Sequence, residues 1–380
     1  MSRALRSLVL LSAWLDIASA ANIFVSHYQG TVQSLSLNQN GGRYTLTANG
    51  TVTLGGQPSW LTFDSANRIL YVADETGYGT ASIWSVAANI NGGLTQTGKA
   101  TAPLGSVHNV LYGDGYIASA HYQTSMVTTF KLPLTSSAQT LQKFALTMPG
   151  KGTIPSRQDA AHPHEVIVDP TGKFILVPDL GADLIRLYSI NASTGMLTSC
   201  GQYTEVGGTG PRHGSWWNNS TLYIANELAN TVHGFTVTYP ASGCIALSRF
   251  QSITTMTGNK TAPTGTKVAE VRLKDNFLYA ANRRDLTFNP NDSITAFSLD
   301  SAGDMTFQGI TSSGGTYPRT FAINKAGDMI VIGDQTTANV VVVKRDTVTG
   351  ALGPQIASMR IGTVGTAEND NGLSAVIWDE

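Results

Sequence analysis

Seven times along the chain, a β-rich apolar run enters a polar tip and is followed by a second strand-like run. The copies are NIFVSHYQGTVQSLSL, ILYVADETGYGTASIWSV, GYIASAHYQTSMVTTFKL, FILVPDLGADLIRLYSI, LYIANELANTVHGFTV, LYAANRRDLTFNPNDSITAFSL and MIVIGDQTTANVVVVKR. With Val25, Val72, Ser119, Val177, Ile224, Ala280 and Ile332 as equivalent positions, the steps are 47, 47, 58, 47, 56 and 52 residues. These are the periods of propeller blades. A further short strand precedes every copy but the first: SWLTFD, HNVLYG, HEVIVD, HGSWW, AEVRL and RTFAIN. The seventh such strand, LSAVIWD, stands alone at the C-terminus. The pattern therefore predicts an all-β fold, a seven-bladed β-propeller in which N- and C-terminal strands pair to complete one blade and remove its exposed edges. Residues 21–380 are expected to form this one domain. A β-sandwich would give strands every roughly 8–12 residues without sevenfold order.

The repeat also predicts where chemistry collects. In each blade the strand beginning near HEV should be innermost, and the next strand returns to the same face. First-strand starts fall at Ser59, His108, His164, Arg212, Ala269, Arg319 and about Leu373; the returning strands end at His27, Asp74, His121, Asp179, Glu227, Arg283 and Gln335. Of the seven histidines, His27, His108, His121, His162, His164 and His213 lie at or beside this rim, and only His233 sits within a strand. A mixed ring of acids, bases and cations at one mouth of a central channel predicts a functional site.

Composition narrows the partner. The chain has 380 residues, 42% of them hydrophobic and 13% charged, with a formal net charge of −1. A basic field for phosphate backbones is missing, which argues against nucleic acid and for a small-molecule substrate. Residues 1–20, MSRALRSLVLLSAWLDIASA, have two early arginines, a short apolar stretch and a small-residue end, the form of a secretory signal. The stretch is shorter than the roughly 20 residues a spanning helix needs, so no membrane association is expected after its removal. Sequons at Asn49, Asn191, Asn218, Asn219, Asn259 and Asn291 agree with a secreted or lumenal protein. In that setting the only two cysteines, Cys200 and Cys244, in matching segments of successive blades, are expected to form a disulfide.

At HPHEVIVDPTGKFILVPDLGADLIRLY, GTGPRHGSWW, ANELANTV, AEVRL with AANRRD, and YPRTFAINKAGD, the chain resembles the seven-bladed lactonase family, which includes bacterial-type 6-phosphogluconolactonase and the fungal 3-carboxy-cis,cis-muconate lactonizing enzyme. The resemblance runs in order through residues 21–380. It implies catalytic roles for His164, Arg212, Glu227 and Arg283. Two arginines can hold an enolate, phenolate or carboxylate, and His164 with Glu227 can move a proton. His108, His27, His121, Asp179, Arg319 and Trp60 are the candidate substrate-binding residues. No cofactor or metal is called for, and without a GxSxG elbow or a rim cysteine an acyl-enzyme has no obvious nucleophile.

The resemblance extends to fungal natural-product cyclases of the secretory route. The leading expectation is therefore an acid/base-assisted cyclase, performing either hetero-Diels–Alder closure of a quinone methide on an alkene or lactone formation and opening. For the former, Trp60, Trp216 and Trp217 would supply an apolar wall. The alternatives are a muconate-lactonizing or 6-phosphogluconolactonase-like enzyme and a non-catalytic secreted binding propeller. A metal-dependent lactonase built on His162, His164, His108 and Asp179 is disfavoured, because His-x-His on a strand directs the two rings to opposite faces.

Overall fold

The computed structural model describes residues 21–241, 243–257 and 260–380; the expected signal and the sequon at Asn259 lie outside them. The described residues form 28 strands in seven four-stranded antiparallel sheets. Each sheet is a blade, and the sheets follow one another in chain order around a ring. The closing blade pairs Ala21–His27 with Leu373–Trp378, in register from Ile23 opposite Trp378 through Val25 opposite Val376. The expected pairing of the chain ends is thus present.

Strands form here because β-branched and aromatic residues alternate with small or polar ones, while blades need apolar surface on both faces to stack. Between the last blade and the closing one, Val331, Val340 and Val342 pack with Ile23, Val25, Leu373 and Trp378. Burying each such side chain stabilises the ring by about 1.5–3 kcal/mol, so Val340→Asp would open this seam. A second device joins neighbouring blades. Tyr112, Tyr223 and Tyr279 donate through their hydroxyls to the turn carbonyls of Gly195, Gly303 and Gly350 in the next blade, at 2.7, 2.5 and 2.6 Å. The Cys200–Cys244 disulfide, with Cα atoms 5.3 Å apart, ties the outer strand Leu197–Thr204 to the segment leading into Ala246–Thr254.

The innermost strands carry the feature that builds the site. Near its start each is bulged, so that two residues face one on the returning strand. The shifts fall between Pro58 and Trp60, Ser106 and His108, Pro211 and His213, Val268 and Val271, and Pro318 and Thr320. In the fourth blade the innermost strand is only Ile167–Val168, preceded by a lone bridge from Pro163 to Asp179. The strand expected to begin at HEV is therefore mostly irregular there, because Pro163 and the extra residue interrupt the ladder.

Candidate functional site

The bulges sort the channel into rings. Ser59, Val107, His164, Arg212, Ala269 and Arg319 are the extra residues of their blades, and of these His164, Arg212 and Arg319 line the mouth. The following residues, Trp60, His108, Glu165, His213, Glu270 and Thr320, form a second ring beneath it. His108, expected beside His164 at the rim, is paired with Ala120 one step deeper, and Trp60 lies with it, the two rings 4.1 Å apart. An inserted residue leaves no trace in the apolar pattern, so in the third blade the count along the sequence slipped by one, while the other first-strand starts fell on the inserted residues as expected.

The returning strands show the same slip. His27, Asp74, His121 and Asp179 are the last residues of their strands, whereas Glu75, Tyr122, Glu227 and Gln335, each one residue beyond its strand, and Arg283, at the end of a strand one residue longer, reach the mouth. Moving one residue along a strand changes the face. His27, His121 and Asp179 accordingly do not line the mouth. His27 Nε2 meets the Thr363 carbonyl at 2.9 Å and His121 Nε2 the Thr128 hydroxyl at 2.8 Å. Asp179 accepts from the backbone N–H groups of His162 and Ala182 and from Arg186 Nε, fixing the loop after its strand. These three brace the rim from behind. The wall of Trp60, Trp216 and Trp217 is likewise missing from the mouth: Trp216 packs on the apolar cluster between the fourth and fifth blades, which holds Ile167, Leu187 and Ile224, and Trp217 Nε1 donates to Asn276.

What the mouth does bring together is a polar cavity of about 140 Å³ containing His164, Arg212, Glu227, Arg283 and Arg319. Three guanidiniums converge on the one carboxylate of Glu227: Arg212 Nε at 2.9 Å, Arg283 Nη2 at 2.7 Å, and Arg157 in direct contact. The Arg212 Nε contact is an ion pair without a hydrogen bond, since its N–H is not aimed at the oxygen, and Arg212 Nη1 also has no partner. Arg319 pairs separately with Glu75 at 2.9 Å, and Tyr28 donates to the same carboxylate oxygen at 2.6 Å.

Electrostatics assigns roles within this set. Burial alone would raise the Glu227 carboxyl, but Arg157, Arg283 and Arg212 together hold it well below its usual range. It is a fixed negative charge, which removes it as the expected proton donor. Burial, followed by the positive field of Arg212, pushes His164 well below the usual histidine value. Its imidazole is neutral at pH 7, and its buried Nδ1 has no partner. Arg212, only 1% exposed, is pulled down to about 9 by burial and then by Arg283, and so stays charged at neutral pH. Three cations against one anion, beside a neutral imidazole, make a site that favours negative charge developing on a bound oxygen.

Sequence reasoning missed Arg157, Tyr122, Tyr317 and Glu75. Arg157 sits in the segment that lengthens the step between the third and fourth blades to 58 residues, so the departure from 47 was its signal. Tyr317, just before Pro318, holds a φ of +68°. That left-handed backbone costs a non-glycine residue about 1–3 kcal/mol, and the ring it places lies 5.0 Å from the Arg283 guanidinium in a cation–π contact.

Residues 22–367 match the lactonase family, described as a 7-bladed beta-propeller. A "Probable 6-phosphogluconolactonase" of Arthroderma benhamiae is 30% identical over 347 residues, 89% of this chain and 86% of the relative. The "6-phosphogluconolactonase" of Bacillus subtilis is 27% identical, covering 78% of this chain and 82% of that one. Among solved structures, the periplasmic gluconolactonase of Pseudomonas aeruginosa superimposes with a TM-score of 0.79 at 23% identity, over 95% of this chain and 99% of the other. That last likeness bears on the fold.

Proposed function

Because the chain belongs to the seven-bladed lactonase family, we propose that it opens the lactone of a polyhydroxylated, sugar-type acid by hydrolysis, in preference to forming a ring. The observation that carries this reading is the mouth itself. It is polar, none of the tryptophans expected to wall in a terpene or quinone methide lines it, and its charges suit a hydroxylated substrate whose carbonyl oxygen turns negative. The sequence relatives named as 6-phosphogluconolactonases support the same substrate class.

In this scheme Arg212 and Arg283 receive the oxyanion of the tetrahedral intermediate. Arg212 Nη1, buried without a partner, is the donor free to do so. His164, neutral, takes a proton from the attacking water and returns it to the departing ring oxygen. Glu227 holds the arginines in place and keeps the empty site from accumulating repulsive charge. The disulfide supports an oxidising, extracytoplasmic compartment.

The test is a panel assay with background hydrolysis subtracted: glucono-δ-lactone, 6-phosphogluconolactone, and 3-carboxymuconate in the lactonizing direction. Acid release from either sugar lactone, at a rate well above background, supports the proposal. Turnover confined to 3-carboxymuconate, or none, overturns it.

A further inference from the structure

Beneath the mouth, the second ring holds a cluster with no part in the chemistry just described. His108, Glu165 and His213, from three successive blades, offer ligand atoms that all lie within 4.8 Å of one another, and all three side chains are buried. Among the described residues no other histidine, cysteine, aspartate or glutamate trio converges in this way. His108 Nε2 stands 3.2 Å from one Glu165 oxygen and His213 Nδ1 3.4 Å from the other. Neither contact is aligned as a hydrogen bond, and His213 Nδ1, on a residue 1% exposed, has no partner at all.

We propose that His108, Glu165 and His213 form a binding site for a divalent transition metal of the zinc type. With bonds of about 2.0–2.1 Å, ligand atoms around a tetrahedral zinc are about 3.3–3.4 Å apart; the two His–Glu165 contacts, at 3.2 and 3.4 Å to the two carboxylate oxygens, are close to that, and the trio, within 4.8 Å overall, needs only a small contraction to close on one ion. Two imidazoles and a carboxylate are a donor set such an ion prefers. Glu270 stands beside the set: its Oε1, 4.0 Å from His213 Nδ1, is held by Arg272 at 3.4 Å and the Val271 N–H, while its buried Oε2 has no hydrogen-bond partner. The outer support is also in place. Trp60 stacks on His213 with ring centres 5.2 Å apart, and the Gly214 N–H donates to Glu165 Oε2 at 2.6 Å. Binding would give up one interaction, the Val166 N–H to His108 Nδ1 contact, which at 3.5 Å lies beyond the usual hydrogen-bond range. An access route exists from below, where a cavity of about 370 Å³ runs from His108 and Glu165 past Thr62, Val168 and Arg272. The ion would fasten three innermost strands around the channel axis. None of His162, His164 or Asp179 takes part, and the proposal does not depend on the lactonase reading.

The experiment uses the full-length protein with its disulfide formed, stripped with chelator and titrated with Zn²⁺ by calorimetry and with Co²⁺ by visible absorption. One equivalent of Zn²⁺ should bind with micromolar or tighter affinity, the Co²⁺ form should show the intense bands of a tetrahedral site, and Zn²⁺ should raise the melting temperature. Glu165→Gln, nearly isosteric, and His213→Gln should each weaken binding by at least ~100-fold. His233→Gln, in a buried His–Glu pair with no third ligand, should leave it unchanged. Wild-type protein that takes up neither ion, or uptake indifferent to Glu165→Gln and His213→Gln, overturns the proposal.

Discussion

Replacing Glu227 with Gln tests the idea that this carboxylate is the counter-charge of the site. Glu227 and Arg212 are each 1% exposed, and Arg283 is 4% exposed. In Glu227→Gln, Arg212 and Arg283 remain buried and charged with no anion between them. Breaking a buried ion pair from one side costs about 3–5 kcal/mol. For a folded unit of this length the unfolding entropy is about 0.75 kcal/mol/K, from ~2.1 cal/mol/K per residue. The expected fall in Tm is therefore about 4–7 °C by calorimetry at pH 7. Arg157→Gln is the comparison: the Arg157 side chain is 29% exposed, and its loss leaves Glu227 with two partners, so the cost should stay under about 1 kcal/mol. The pH dependence has a definite sign. Glu227 is held below its unfolded value, so its contribution is complete above about pH 4.3 and is lost as pH falls through the folded value. The gap between wild type and Glu227→Gln should thus be constant from pH 5 upward and close in acid. Equal Tm values at pH 7, or a gap that widens on acidification, would refute the reasoning.

Other consequences follow from the same contacts. Arg319→Ala should raise KM with kcat largely kept, and should lower Tm by a few degrees, because Glu75 is left buried without its cation; adding Glu75→Gln should recover most of that loss. The Cys200–Cys244 bond closes a loop of 44 residues' separation, for which the chain-entropy relation gives about 4 kcal/mol; reduction should lower Tm, and thiol titration of the denatured, unreduced protein should find no free cysteine. With His164 held well below the usual histidine value, the acidic limb of the kcat/KM profile should fall well below pH 6.5. A profile that drops near pH 6.5 would show an ordinary imidazole and contradict the burial argument.

The sevenfold period and the pairing of chain ends were legible in the sequence because strand alternation and turn residues recur in every blade. That His164, Arg212, Glu227 and Arg283 meet at one mouth was legible through the motifs around them. The ring position of His108 and Trp60 was not, since a bulge adds a residue without disturbing the apolar run. His27, His121 and Asp179 sit one residue short of the mouth, and a single step decides whether a side chain faces the cavity or the rim behind it. The arginines also proved more deeply buried than strand ends suggest. Removing Arg212 should therefore affect stability as well as rate, whereas a side chain merely standing at a strand end would affect the rate alone.

The most direct test of the account compares wild type and His164→Asn on the sugar lactone turned over best, with Tm measured on the same samples. Asn keeps a polar group of moderate size at the mouth but cannot accept and return a proton. The account predicts a fall in kcat of at least ~100-fold, the scale of a lost general base, with Tm shifted by no more than a few degrees. Full activity in folded His164→Asn would contradict it.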